Sequence, residues 1–299
     1  MSRDYAAKNL ADQLGIPYAA ALRQIRAGAA PAPSPEADAT GLPVRAAAPM
    51  TSGLAALDAL TGGLRPGQLV TFAGPSMSGL SVALATVADQ VAVRQNVSTL
   101  WVEMESDTRV VGERLLAGVA QVELDQLRKG SEDVLERLRP ALQVMARTPL
   151  FIEVDLTSTD AVKRAVQVSP HRPRLLIIDG VRLLDLDRDE DDYGAHLDRL
   201  ARRLKELAVA LDITICVSQP VLSVTDVTTA PDLEGFVTHA DQVILLHTTG
   251  RDSRHSTWTL AEMELVKNQA DPTGRIPVVA HFAVGRFASD PGAAGAARR

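Results

Sequence analysis

Residues 68–93 read QLVTFAGPSMSGLSVALATVADQVAV. An apolar run, a glycine-rich turn and a second apolar run with helical spacing follow one another without a gap, which predicts a strand, a tight loop and a helix. Gly74, Gly79 and Ser81 stand at the G-x-x-x-x-G-x-[ST] spacing of a phosphate-binding loop, Gly74-Pro75-Ser76-Met77-Ser78-Gly79-Leu80-Ser81. Such loops work because successive backbone N–H groups converge at a helix N-terminus, a lysine adds a point charge and the last hydroxyl ligates Mg²⁺. The lysine position is Leu80. A glycine loop without its cation is also the pattern of an ordinary strand-to-helix turn, so the rest of the chain has to decide between the two.

Working outward, the pattern from Thr51 alternates strands with helices. Candidate strands are 69–73, 98–103, 150–153, 174–179, 213–218 and 242–247, with 257–266 and 276–284 as an edge hairpin; candidate helices are 79–94, 107–120, 131–147, 159–168 and 194–211. Apolar strands joined by helices of this length imply a parallel sheet with right-handed crossovers. Aromatic residues make up only 3% of the chain against 46% hydrophobic residues, so the core is built from Ala, Val, Leu and Ile, as such sheets are. Ahead of this domain, residues 1–28 read as a helical segment and 29–50 as an Ala/Pro-rich linker. Within the former, LADQLGIPYAAALRQI (10–25) fits either a docking helix pair or a helix-turn-helix. The last residues, 288–299, read as a disordered tail.

Polar groups end several of these strands, where open parallel sheets bind their ligands. RLLIIDG (174–180) ends at Asp179, suited to holding Mg²⁺; ITICVSQ (213–219) ends at Ser218 and Gln219; STLWVEME (98–105) ends at Glu103, a candidate base. Cys216 is the chain's one cysteine, which excludes an internal disulfide and fits a reducing compartment; it falls mid-strand and reads as core. The histidines show no metal-ligand spacing. No apolar run approaches the roughly 20 residues that span a bilayer, and the expected location is the cytoplasm. A formal net charge of −6 argues against strong nucleic-acid binding.

Taken together, TSGLAALDALTGGLRPGQLVTFAGPSMSGLS (51–81), VEME (102–105), LLIIDGVRLL (175–184), VSQ (217–219), DLEGFVTHADQVILLH (232–247) and LVKNQADPTGRIPVVAHF (265–282) resemble, in order, the C-terminal motor domain of DnaB-type replicative helicases. The resemblance covers about 51–287 and implies an α/β, RecA-like P-loop NTPase core: a mostly parallel twisted sheet flanked by helices, plus the small N-terminal helical segment. It implies ATP and Mg²⁺ as cofactors and a ring or filament of identical subunits. It assigns phosphate binding to residues 74–81, Mg²⁺ to Ser81 and Asp179, water activation to Glu103, γ-phosphate sensing to Gln219, and to Lys267 a contact with the neighbouring subunit's nucleotide.

The departures from the family are equally specific. Leu80 removes a charge-assisted contact worth roughly 1.5–3 kcal/mol and a transition-state interaction worth about a hundredfold in rate. Lys267 is the candidate for a displaced compensating charge. Gln269 stands where the family has its arginine finger, an element worth on the order of 10³–10⁵ in turnover; Arg275 is the nearby substitute. The loops that in ring helicases face the channel read DLDRDEDDY (185–193) and PVLSVTDVTTAPDLEG (220–235), acidic and cation-free respectively, where single-strand binding needs a positive groove. Arg182 and Arg188 are the alternative DNA contacts. The expectation is a degenerate helicase-family protein, with little or no ATP hydrolysis and weak or no single-stranded DNA binding, acting as an oligomeric scaffold that docks other proteins. The alternatives are an active ATP-dependent helicase or translocase in DNA replication, and a DNA-binding regulator acting through its N-terminal helices.

Overall fold

A computed structural model describes residues 48–185, 192–222, 232–251, 258–269 and 272–289. The N-terminal helical segment, most of the linker, the acidic stretch 186–191 with Arg188, residues 223–231 and the end of the chain from 290 lie outside the described residues.

One sheet of nine strands organises everything else, in the order β3-β2-β4-β5-β1-β6-β7-β8-β9. β1 (Leu69–Gly74), β2 (Thr99–Glu103), β3 (Leu150–Val154), β4 (Leu175–Asp179), β5 (Thr214–Pro220) and β6 (Gln242–Arg251) run parallel. β7 (Thr259–Asn268), β8 (Gly274–His281) and β9 (Arg286–Ser289) continue the sheet in antiparallel fashion. The expected edge hairpin is therefore three strands, and Phe287 of β9 is fully buried in the main core.

β1, β2, β4 and β5 are buried along nearly their whole length because helices cover both faces of the sheet, and this is why they read as continuous apolar runs. One face packs against α1 (Ala55–Thr61), α2 (Leu80–Ala88) and α3 (Thr108–Ala120), around Val70, Phe72, Trp101, Ile177 and Cys216. A small satellite forms where α5 (Glu132–Met145), which follows the short α4 (Leu124–Lys129), packs back on α3. The other face packs against α6 (Thr159–Val168), α7 (Tyr193–Leu211) and α8 (Glu234–His239), around Leu69, Val102, Ile178 and Val217. α7 buries Leu197, Leu200, Ala201, Leu204 and Ala208 at helical spacing, with the Asp192 carboxylate accepting the Ala195 N–H at its N-terminus.

The helix expected over 79–94 is not uniform. α2 ends at Ala88, and Asp89–Arg94 form wider π turns. The Asp89 carboxylate takes Arg94 as its partner at 2.9 Å, and the Gln95 N–H donates to the Gln90 carbonyl, both five residues apart. That spacing suits a π turn and not an α turn. α1, α4 and α8, of six or seven residues each, are too short to show two turns of apolar periodicity and escape sequence reading.

Candidate nucleotide site

β1 delivers the chain into the loop at Gly74, and α2 leaves it at Leu80. Glycine is required at both ends. A Cβ on Gly74 would lie 2.7 Å from Ser78 Oγ, and Gly79, at φ +99°, has Phe282 and Phe287 pressed where its side chain would be, at 2.6 and 3.2 Å. Met77 holds the loop tip at φ +70° with its side chain almost wholly in solvent. Ser78 is buried, and its hydroxyl finds no hydrogen-bond partner among the described residues. The Ser78 N–H closes a turn onto the Pro75 carbonyl at 3.0 Å, which leaves the buried hydroxyl as the group open to an external acceptor or donor. Beside it, Pro75–Ser78 and Leu246–Thr248 line a pocket of about 230 Å³. His247 on its wall lies 3.0 Å from the Glu264 carboxylate.

Leu80 is 8% exposed and belongs to the apolar cluster beneath α2. The position that carries a cation in working phosphate loops is thus part of the core. The hydroxyl of Ser81, one residue on, acts on the Asp179 carboxyl and favours its ionised form. Asp179 Oδ1 also accepts the Ser218 hydroxyl at 2.6 Å, and Ser218 Oγ accepts the Gly180 N–H at 2.7 Å. Burial raises the Asp179 carboxyl above the ordinary carboxylate range; the Ser218 and Ser81 hydroxyls and the charge of Arg114 oppose it. Hydroxyl and carboxylate side by side are a hard oxygen donor set, which suits Mg²⁺.

Strand register brings Glu103 opposite Asp179. Its carboxylate is pinned: Oε1 accepts the N–H groups of Glu105 (3.0 Å) and Ser106 (2.8 Å), and Oε2 accepts the Trp101 indole (3.2 Å). Burial, then the nearby Asp179 charge, push its proton affinity up. Glu103 thereby builds the turn that follows β2 as well as facing the site. Arg182 is held by Glu105 at 3.1 Å.

Gln219, Lys267 and Arg275 lie away from this group of residues. Gln219 alternates to the opposite face from Ser218 and donates to the carbonyls of Pro220 (3.2 Å) and Asp232 (3.0 Å); its Oε1 is buried without a partner among the described residues. Lys267 pairs with Val243, which pairs with Thr71, so it lies toward the amino-terminal half of β1, away from the loop. Its ammonium donates to the carbonyls of Val237 (2.7 Å) and Thr238 (2.9 Å) at the end of α8. Burial depresses its pKa. Within one chain, then, Lys267 does not compensate for Leu80. Arg275 is held between Glu262 and Glu264, both at 3.2 Å. In the acidic loop, Asp185 is structural, accepting the Thr159 N–H (2.9 Å) and hydroxyl (2.6 Å) at the start of α6 and pairing with Arg203 at 3.2 Å. Among the described residues no group of three or more His, Cys, Asp or Glu side chains could hold a metal by itself. No helix among them is long and apolar enough to cross a membrane.

Sequence reading named Ser218 only as a strand end; its bond to Asp179 depends on the pairing of β4 with β5, which no local pattern reveals. Arg114 escaped entirely, being one charged residue on an amphipathic helix.

With this geometry in place, the comparisons with known proteins fall into one group. The family model for "DnaB-like helicase C terminal domain" matches residues 49–289. The chain is 29% identical over 251 residues to the replicative DNA helicase DnaB of Treponema pallidum, covering 80% of this chain and 55% of that protein. It is 23% identical over 258 residues to its counterpart in Leifsonia xyli, covering 79% and 55%. The chain therefore spans about half the length of the curated relatives it matches. Among solved structures, a DnaB-like replicative helicase, described with its interactions with primase, superposes with a TM-score of 0.71 at 16% identity, covering 80% of this chain and 61% of that one. A second solved structure, of an ATPase domain, superposes at 0.71 and 17% identity, covering 82% and 93%. At these identities the structural likenesses establish the fold.

Proposed function

We propose a function from one premise: this chain belongs to the DnaB-like helicase C-terminal domain family. It is a degenerate member that keeps the P-loop fold and weak nucleotide binding, has little or no ATP hydrolysis, and serves as an oligomeric assembly or scaffold protein. The observation that carries this reading is Leu80, packed into the core where the loop's cation would stand. Gln269 supports it, since a neutral amide at the finger position cannot stabilise transferring phosphoryl charge.

ATP and Mg²⁺ fit what remains. The loop amides and the orphan Ser78 hydroxyl would hold phosphate oxygens, and Ser81 with Asp179 would hold the metal. When bound, Mg²⁺ would neutralise phosphate charge in a site that has lost its lysine. Glu103 would face the terminal phosphate, restrained by its own turn. Gln219 and Lys267, as placed within one chain, would act only after rearrangement or across a subunit boundary. The oligomer and its protein partners follow from family membership; for one structural neighbour, interaction with primase is on record. The buried free thiol of Cys216 is compatible with the cytoplasm.

Titrating a fluorescent ATP analogue with Mg²⁺, together with the native mass of the particle and phosphate release with and without single-stranded DNA, tests the proposal. Weak binding to an oligomer, with turnover that DNA does not stimulate, is expected. Robust DNA-stimulated turnover overturns it in favour of an active translocase, a reading supported by the intact Ser81–Asp179–Ser218 arrangement. Duplex binding that disappears on deletion of residues 1–30 would favour the regulator reading instead.

A further inference from the structure

The pocket beside the loop differs from the ground that phosphates need. Pro75–Ser78 and Leu246–Thr248 line it, with no Lys, Arg, Asp or Glu among them, so it suits a neutral polar group. Its volume of about 230 Å³ falls below the roughly 300–1,000 Å³ that holds a whole ligand, and matches one part of a larger molecule. Its place in the sheet says which part. The strand order β4-β5-β1-β6 puts Asp179 and Ser218 on one flank of β1 and the Leu246–Thr248 wall on the other. Mg²⁺ bridges the two terminal phosphates of a nucleoside triphosphate. With Asp179 holding that end on the β5 flank, the nucleoside end is left to extend across the loop toward β6.

His247 gives this pocket its chemistry. Its Nε2 lies 3.0 Å from Glu264 Oε2, and Arg275 grips the same carboxylate through Nε at 3.2 Å and a terminal nitrogen at 3.3 Å. A carboxylate paired with a guanidinium accepts hydrogen bonds and donates none, so the ring proton of the neutral imidazole sits on Nε2. Nδ1 is then an acceptor, and it takes no partner among the described residues. An open acceptor on the wall of an uncharged pocket selects a neutral donor. Of the neutral donors on a nucleoside triphosphate, the ribose hydroxyls lie nearest the phosphates. No aromatic side chain other than the imidazole lines the pocket, so a base would find no second face to stack on.

We infer that His247 is a specificity-determining residue that accepts a hydrogen bond from a ribose hydroxyl of a bound nucleoside triphosphate, with Glu264 as the positioning residue that fixes its tautomer. The pocket between the loop and the end of β6 is then a sugar subsite. The inference rests on the nucleotide reading above and deepens it. In a site that has lost its lysine, a contact at the sugar is one of the few directional contacts left to tell a nucleotide from a plain polyphosphate.

The test uses the full chain, Mg²⁺ and an ATP analogue with its fluorophore on the base, displaced by ATP, 2′-deoxy-ATP, 3′-deoxy-ATP or inorganic tripolyphosphate. In the native chain, loss of one of the two hydroxyls is expected to weaken binding by roughly three- to tenfold, the range of a single neutral hydrogen bond. H247F keeps a ring and removes the acceptor; it should bring ATP down to the level of that deoxy compound and leave tripolyphosphate unchanged. H247Q, which supplies an acceptor oxygen, should recover part of the preference. E264Q, whose amide can donate to Nε2 and so move the ring proton, should reduce it; an unchanged preference removes the positioning role of Glu264. Unfolding temperatures of each variant show whether the fold is kept. If the native chain binds ATP and both deoxy forms equally, or H247F keeps the preference, the role of His247 is refuted and the nucleotide reading stands. If H247F weakens tripolyphosphate as much as ATP, His247 acts on the phosphates or on the fold, and the sugar contact is refuted as well. If the native chain binds neither the analogue nor tripolyphosphate, the nucleotide reading falls, and this inference with it.

Discussion

Leu80 sits where two demands conflict: the phosphates ask for a charge and the core beneath α2 asks for an apolar group. Leu80→Lys should therefore have opposite effects on affinity and stability. The aliphatic stem can follow the leucine's path while the ammonium leaves the cluster toward the loop, at a cost of about 1–3 kcal/mol for disturbed packing. ATP affinity should rise at least about tenfold, read by titration of the analogue, while the ligand-free unfolding temperature falls. Unchanged affinity with lowered stability would mean that the ammonium has no route to the phosphates. Asp179 carries the complementary conflict. Burial raises its carboxyl above the ordinary range, so the folded chain holds its proton to a higher pH than the unfolded chain does. By linkage, stability then falls as pH climbs from the unfolded value through the folded one, and the penalty is absent below the unfolded value. Asp179→Asn should raise the unfolding temperature at pH 7, and the difference should shrink as pH drops toward the ordinary carboxylate range. A lower unfolding temperature at pH 7 would show that the bonds from Ser81 and Ser218 outweigh the burial cost.

At the scale of elements, the join between β1, α7 and β6 depends on one ion pair, in which Asp241 is buried and Lys205 half-buried. Lys205 donates to both Asp241 oxygens (2.7 and 2.8 Å) and to the Gly67 carbonyl (2.8 Å), and Asp241 also accepts the Leu69 N–H at 2.7 Å. Asp241→Ala would strand an ammonium and a backbone N–H together. About 1–3 kcal/mol of stability should be lost, measured by denaturant unfolding; a loss well below about 1 kcal/mol would mean that water replaces the carboxylate. That join also shows what the sequence could and could not disclose. The parallel strands were legible because burial on both faces forces apolar residues at every position, and the loop was legible because glycine is required at Gly74 and Gly79. Lys267 was legible as a residue but not as a location: only the register with Val243, which pairs with Thr71, sets it back along β1 from the loop. Ser218 and Gln219 are neighbours in the chain and lie on opposite faces of the sheet, so a motif read as one unit divides in the fold.

For the whole molecule, charge is the deciding quantity. A ring motor holds single-stranded DNA by neutralising phosphates, and each neutralised phosphate steepens the fall of affinity with salt. This chain has a formal net charge of −6 and no Lys or Arg from Glu206 to Gly250, a span that includes residues 220–235, the second stretch that the sequence resemblance would set beside a channel. The first loop is acidic, and Arg182 at its start is already held by Glu105. Asp185 and Asp192 at its two ends cap helices, which lessens its repulsion without adding any attraction. Fluorescence anisotropy with a labelled oligo-dT strand should then give affinity no tighter than about 10⁻⁴ M and nearly independent of salt between 50 and 200 mM, whereas a protein making 6–10 phosphate contacts loses roughly 10³–10⁵ over that range. A steep salt slope with tight binding at low salt would require a cationic surface that another part of the chain supplies. The scaffold reading would then have to yield to one in which DNA is held away from the usual channel loops.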